Sequence, residues 1–331
     1  MSAVSGKHVL VTGADGFIGS HLVERLVADG AKVRAFCFYN SQGSWGWLDS
    51  ASAELRAAID VRLGDIRDAG FVEEATRGVD IVMHLAALIA IPYSYRAPQS
   101  FVDTNVTGTL NILEAAKRNG VARVIVTSTS EVYGTPEQLP IRETHPLNAQ
   151  SPYAATKVAA DQLALAYHRS FNVPVVVLRP FNTYGPRQST RAVLPTILAQ
   201  LLRGRTSIKL GRVDTRRDLT YVSDTVDGFV RAASAPGIDG QTIQLGTGAS
   251  PSIADVFAIA CRALGKQAQL ELDPQRLRPD ASEVLVLESD PARAQQLLGW
   301  RAEIALEDGL RKHAEWMNRN LHLFGHEHYH V

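Results

Sequence analysis

The sequence predicts an α/β protein built on a doubly wound parallel sheet, with a smaller second domain interleaved at the C-terminal end. Three observations carry this. From Lys7 to Val177, short β-branched runs alternate with longer stretches of helical period, the rhythm that sandwiches a parallel sheet between helices. A glycine-rich turn, Thr12-Gly13-Ala14-Asp15-Gly16-Phe17-Ile18-Gly19, joins the first run to the first helical stretch. After Arg179-Pro180 the rhythm gives way to loops and short helices.

The strands are expected at His8–Thr12, 32–36, 60–63, 80–85, 123–128 and 173–178, with one more buried strand near Thr242–Leu245. The helices are expected at Phe17–Ala28, 99–119 and 153–171, the last opened by Ser151 as N-cap and Pro152 at the first helical position. A cap and helix follow at 252–264. Residues 1–180, with about 219–247 returning, should form the sheet domain. Residues 181–218 and 248–331 should form the second.

The 331 residues carry 34 Lys+Arg against 34 Asp+Glu, so no net charge favours nucleic acid or an anionic membrane. No apolar run approaches the roughly 20 residues of a membrane span, and the start lacks a basic segment leading into a long apolar one. Two cysteines, Cys37 and Cys261, make no disulfide framework. A soluble, cytoplasmic chain is expected. No metal site is expected: the tail histidines His322, His326, His328 and His330 could hold one, but a terminal segment this short reads as a solvated tail.

The glycine turn sits between a strand and a helix, the setting of a dinucleotide-binding Rossmann unit. Gly13 allows the tight turn, Gly16 lets the backbone approach a pyrophosphate, and Gly19 permits close helix–strand packing. The second strand should end in an acid that bonds the adenosine ribose, and here Cys37 stands there. NAD is favoured because no basic cluster follows the strand, with Arg34 the one nearby cation; NADP stays open. Asp65-Ile66 suit an adenine, and a helix cap is the equal alternative for Asp65. His84 reads as a satisfied core histidine. Trp45 and Trp47 either cover apolar surface or form a lid.

The fifth strand runs into Thr127-Ser128-Thr129-Ser130-Glu131-Val132-Tyr133-Gly134 at the edge where such sheets place ligands. Further on, Tyr153 and Lys157 are spaced i, i+4 on one helix face, so the ammonium can stabilise a phenolate. A tyrosine needs its pKa lowered by about three units, or about 4 kcal/mol, to act as a base near neutrality.

With these motifs in place the chain resembles the extended short-chain dehydrogenase/reductases that act on nucleotide sugars. Thr12–Gly19, Asp65, 84–87, Asn105, Tyr153/Lys157, 179–182, 184–186, 217–221 and 246–248 carry the resemblance. Ser130-Glu131-Val132-Tyr133-Gly134 is similar to the 4,6-dehydratase signature of that family. Residues 85–95, with 39–41 and 45–49, resemble NAD-dependent dehydratases of legionaminate-type pathways.

The resemblance implies cofactor contacts from Gly13, Asp15, Gly16, Phe17, Ile18, Gly19, Cys37, Asn40, Asp65, Ile66, Leu85, Ala86, Ala87, Tyr153 and Lys157. It implies substrate contacts from Ser94, Asn182, Arg217 and Arg278, the arginines gripping a pyrophosphate, and a homodimer formed through the helices 99–119 and 153–171. It implies catalysis by Thr129, Ser130, Glu131, Tyr153 and Lys157: oxidation at C4, proton abstraction at C5 by Glu131, loss of water from C6, and hydride return to C6. Ser130 stands where one branch of the family has an acid, so Glu131 or a bound water must protonate the leaving hydroxyl. The alternatives are a 4-epimerase, which needs no base at C5, a uronate decarboxylase, and a catalytically silent dinucleotide sensor.

Overall fold

A computed structural model describes residues 2–324; the tail histidines His326, His328 and His330 lie outside the described residues. Seven parallel strands form the central sheet, in the order β3-β2-β1-β4-β5-β6 followed by Thr242–Leu245 at the far edge. They are β1 (His8–Thr12), β2 (Lys32–Phe38), β3 (Asp60–Gly64), β4 (Ile81–His84), β5 (Arg123–Thr127) and β6 (Val175–Pro180). The order reverses between β1 and β4, where Thr12 lies in register with His84, and the carboxyl edge beside that reversal is where ligands bind in such sheets.

Each strand alternates its side chains between two cores. Val9 and Val11 face one together with Leu22 and Leu26 of α1 (Phe17–Ala28), and Leu10 faces the other with Val82, Val124, Val175 and Ile112. Burial on both faces explains why β5 and β6 read as unbroken β-branched runs rather than as alternating ones. Beyond β6 the chain builds three small parallel pairs, one of which joins Arg216–Arg217 to Val286–Leu287.

The helix expected at 99–119 is interrupted. Pro98–Phe101 runs into a π turn at Val102–Thr107 before the α-helix Gly108–Asn119. The wider turn brings buried Asn105 onto the Leu88 backbone, its Oδ1 accepting from the Leu88 amide at 2.8 Å and its Nδ2 donating to the Leu88 carbonyl at 2.9 Å. Among the described residues no helix is long and apolar enough to cross a membrane.

Candidate active site

Thr12 closes β1 with its hydroxyl accepting the amides of Leu85 and Ala86, each at 3.1 Å, and donating to His84 Nδ1 at 2.8 Å. His84 Nε2 then donates to Thr109 (3.1 Å), whose own proton goes to the Asn105 carbonyl (2.6 Å). This chain fixes the neutral Nε2–H tautomer, and burial, reinforced by the Lys157 charge, pushes the imidazole pKa down to about 3. His84 is a strut that holds Leu85-Ala86-Ala87 beside the glycine turn.

Gly13 has φ +68°, and a Cβ there would lie 2.9 Å from the Ala86 nitrogen. A Cβ on Gly19 would lie 2.0 Å from the Gly13 oxygen, whereas one on Gly16 would meet only that oxygen, at 3.2 Å, and would otherwise fill open space. Gly16 is the N-cap of α1 and no side chain caps it, so the Phe17, Ile18 and Gly19 amides stay available. That cradle fits a dinucleotide pyrophosphate.

The adenosine end departs from expectation. Cys37 is 0% exposed with nothing bound, so it offers no surface to a ligand; its thiol sits in the core and burial pushes its pKa up to about 12. Asn40 spends its amide on its own loop, donating to the Phe38 and Ser44 carbonyls (3.3 and 2.8 Å) and accepting from the Gln42 and Ser44 amides (3.2 and 3.0 Å). The Cys37 thiol and the Asn40 amide are thus both engaged within the protein. Arg34 turns away to Asp60 (2.8 Å) and to the Ala75 and Arg77 carbonyls. The Asp65 carboxylate is clasped by Arg67, which holds its pKa down. It caps no helix: Asp68 takes that role for Ala69–Thr76. Ile66 is buried beneath Gly108.

At the end of β5, Thr129 N-caps the short turn Ser130–Tyr133, accepting from the Glu131 amide at 3.2 Å, and its hydroxyl acts on the Tyr153 phenol. Tyr153 lies in the first turn of the helix Pro152–Phe171, whose start is set by Ser151 Oγ accepting from the Ala154 amide at 3.1 Å. Burial raises the Tyr153 pKa, Thr129 opposes the rise, and the Glu131 charge adds to it. Lys157, one turn on, is pushed down to about 8 by burial, against the pull of Asp161. Ser130 is 2% exposed, nearly sealed from the cleft.

Glu131 is half-buried, and its charge pulls the pKa of both Tyr153 and Arg217 upward, so the carboxylate lies within electrostatic reach of each. Arg217 is buried on its strand and donates to Glu283 Oε1 at 3.1 Å; Arg278 approaches the same oxygen at 3.7 Å. Beside them opens a cavity of about 590 Å³ lined by Arg212, Asp214, Leu277, Arg278, Asp280 and Glu283. Asn182 Oδ1 is buried with no hydrogen-bond partner among the described residues. Ser94 is 0% exposed and its hydroxyl donates to the Ile91 carbonyl at 2.7 Å, so it braces a turn. Trp45 packs on the core and Trp47 stacks edge-on against Trp316, covering apolar surface rather than hanging over the cleft.

Residues 10–313 match the family model described as GDP-mannose 4,6 dehydratase. The chain belongs to this family of extended short-chain dehydrogenase/reductases. It is 36% identical to the UDP-glucose 4-epimerase of Mycolicibacterium smegmatis, covering 93% of this chain and 97% of that one. It is 35% identical to the dTDP-glucose 4,6-dehydratase of Actinoplanes sp., covering 94% and 98%. Its fold superposes with a TM-score of 0.85 on a dTDP-glucose 4,6-dehydratase of Streptomyces venezuelae solved with NAD bound, at 30% identity over 96% of this chain and 98% of that one. With the UDP-glucuronic acid 4-epimerase of Bacillus cereus, solved with UDP-glucuronic acid and NAD, the TM-score is 0.86 at 29% identity over 95% and 99%.

In this member of the family, two groups that sequence reasoning passed over help build the site. Asp161 continues the Tyr153–Lys157 row by one more turn. Its Oδ2 accepts from Ser128 (2.7 Å) and from Arg179 Nε and Nη2 (3.0 and 2.9 Å), while Arg179 Nη1 donates to the Tyr133 hydroxyl at 3.0 Å. That buried network fixes the Thr129–Tyr133 turn against the helix carrying Tyr153, and the i, i+4 spacing was its signal. Glu283 had no such signal, because only the tertiary fold brings it to Arg217.

Proposed function

We propose that this protein is an NAD-dependent nucleotide-diphosphate-hexose 4,6-dehydratase that yields a 4-keto-6-deoxy sugar. The observation that carries the reading is Glu131: a half-buried carboxylate on the short turn that Thr129 caps, within electrostatic reach of Tyr153 and Arg217, which suits it to take a C5 proton. NAD, which the glycine turn and the Phe17, Ile18 and Gly19 amides would hold, would supply the redox chemistry, a hydride acceptor at C4 and a donor at C6. Thr129 holds the 4-oxygen and Tyr153 receives its proton, helped by the Lys157 charge. Once C4 is a ketone the C5 hydrogen is acidic, and Glu131 removes it. With Ser130 sealed and a poor acid, Glu131 then hands that proton to the departing C6 hydroxyl and, reprotonated from solvent, gives a proton to C5 as the hydride reaches C6. Arg217 and Arg278 are the cationic pair for the pyrophosphate, which takes the place of Glu283 between them, and Asn182 Oδ1 accepts from the sugar.

The test is mass spectrometry after incubation with a panel of nucleotide sugars, starting with the 2-acetamido sugars of legionaminate-type pathways. Loss of one water supports the dehydratase. An unchanged mass with an inverted C4 supports the second reading, a 4-epimerase, which the 36% identity to the M. smegmatis epimerase and the absence of an acid at Ser130 favour.

A further inference from the structure

The end of β2 lacks the acid that normally meets an adenosine ribose, and the structure shows that Cys37 does not stand in for it: the thiol is inside the core. A carboxylate nevertheless lies at that place. Asp15, on the glycine turn, reaches across to β2, where its Oδ2 accepts from the Phe38 amide, the residue after Cys37, at 3.4 Å. Its only hydrogen-bond donors among the described residues are backbone amides, those of Phe38 and of Asp15 itself, and no arginine or lysine pairs with it. The loop after β2 is shaped around it. The Trp47 amide donates to the Asp15 carbonyl at 3.1 Å, and Gly46, at φ +59°, passes so close that a Cβ there would lie 2.9 Å from the Asp15 Cβ. Burial raises the Asp15 pKa, the signature of a carboxyl short of solvation. Around it the other candidates are spent: Arg34 on Asp60, Asn40 on its own loop, Asp65 on Arg67.

We propose that Asp15 is the acid that accepts the adenosine ribose hydroxyls, transposed from the end of β2 to the glycine turn, and that it excludes a 2′-phosphate. The inference rests on the dinucleotide reading above and assigns the cofactor choice to one side chain. A carboxylate accepts well from a vicinal diol, and a 2′-phosphate at the same place would put two anions together with no cation to separate them.

The experiment measures dissociation constants of NAD, NADP and 2′-deoxy-NAD for the full chain and for Asp15→Asn and Asp15→Ser, by calorimetry, with thermal melts to confirm that each variant is folded. The unmodified chain should prefer NAD to NADP by about 100-fold and to 2′-deoxy-NAD by about 10-fold. In both variants NAD should weaken by about 10-fold, and both preferences should shrink to within a few-fold. The 2′-deoxy comparison separates a direct contact from a structural role, because a distorted turn weakens both cofactors equally. If the unmodified chain binds NAD but the variants keep its preferences, the proposal is overturned and the dinucleotide reading stands. If the unmodified chain binds neither dinucleotide, both fall.

Discussion

Tyr153 and Lys157 pay for their position in the interior with opposite shifts, the phenol raised and the ammonium pushed down to about 8. Tyr153→Phe keeps the ring and loses the base, so turnover should fall by about 10²-fold or more while NAD binding, read by calorimetry, stays near that of the unmodified chain. Lys157 carries a second consequence. Its folded pKa lies below the ordinary lysine value of 10.5, so the unfolded chain binds the proton more tightly and the buried charge costs stability below pH 8. Lys157→Met should therefore raise the stability of the fold at neutral pH by about 3 kcal/mol while abolishing activity. That gain should fade between pH 8 and 10.5, which denaturant titrations across the range would read. The Tyr–Lys pair was legible because helical spacing alone puts both on one face. The burial of Cys37 was not legible although β2 alternates visibly: Val33, Ala35 and Cys37 share the face that the fold buries against α1, and Arg34, Phe36 and Phe38 point the other way. What packs against each face is a tertiary fact that a strand's own residues do not carry, and Phe36 is buried in the opposite core.

The elements were legible where local chemistry sets them. β1, α1 and the strand Thr242–Leu245 fall at the expected residues, because a glycine turn and unbroken apolar runs delimit them. The π turn at Val102–Thr107 was not, since an i, i+5 register leaves no period in the sequence; only the Asn105–Leu88 bonds give it a reason. The glycine turn gives a paired prediction. Gly19→Ala forces a Cβ to 2.0 Å from a backbone oxygen and should destabilise the fold by upwards of about 3 kcal/mol. Gly16→Ala meets one backbone oxygen at 3.2 Å and otherwise projects into the cradle, so it should fold with a melting temperature close to the parent and lose NAD affinity by at least about 10-fold. Equal loss of stability in both would mean that the cradle is a packing feature alone.

The whole chain should respond to acid through two buried histidines, His84 and His313, each pushed down to about 3 by burial. Between pH 3 and 6.5 the unfolded chain takes protons that the native one refuses, so each lowers stability by about 1.4 kcal/mol per pH unit as pH falls, and neither contributes a slope above 6.5. Among the described residues His313 has no hydrogen-bond partner on either nitrogen, so His313→Leu should flatten that slope, measured by melting between pH 4 and 7. The helices expected to pair in a homodimer carry exposed Leu110 and Phe171, and sedimentation at micromolar concentration should show a dimer. The central claim, that Glu131 turns this site from redox chemistry to elimination, is tested most directly by running the reaction of Glu131→Gln in heavy water. The account predicts that the unmodified enzyme places solvent deuterium at C5 of a product lighter by one water, while the variant oxidises C4, accumulates reduced nicotinamide, and shows neither deuterium nor dehydration. Dehydration by the variant at the parent rate, or a parent enzyme that only inverts C4 at constant mass, would contradict it.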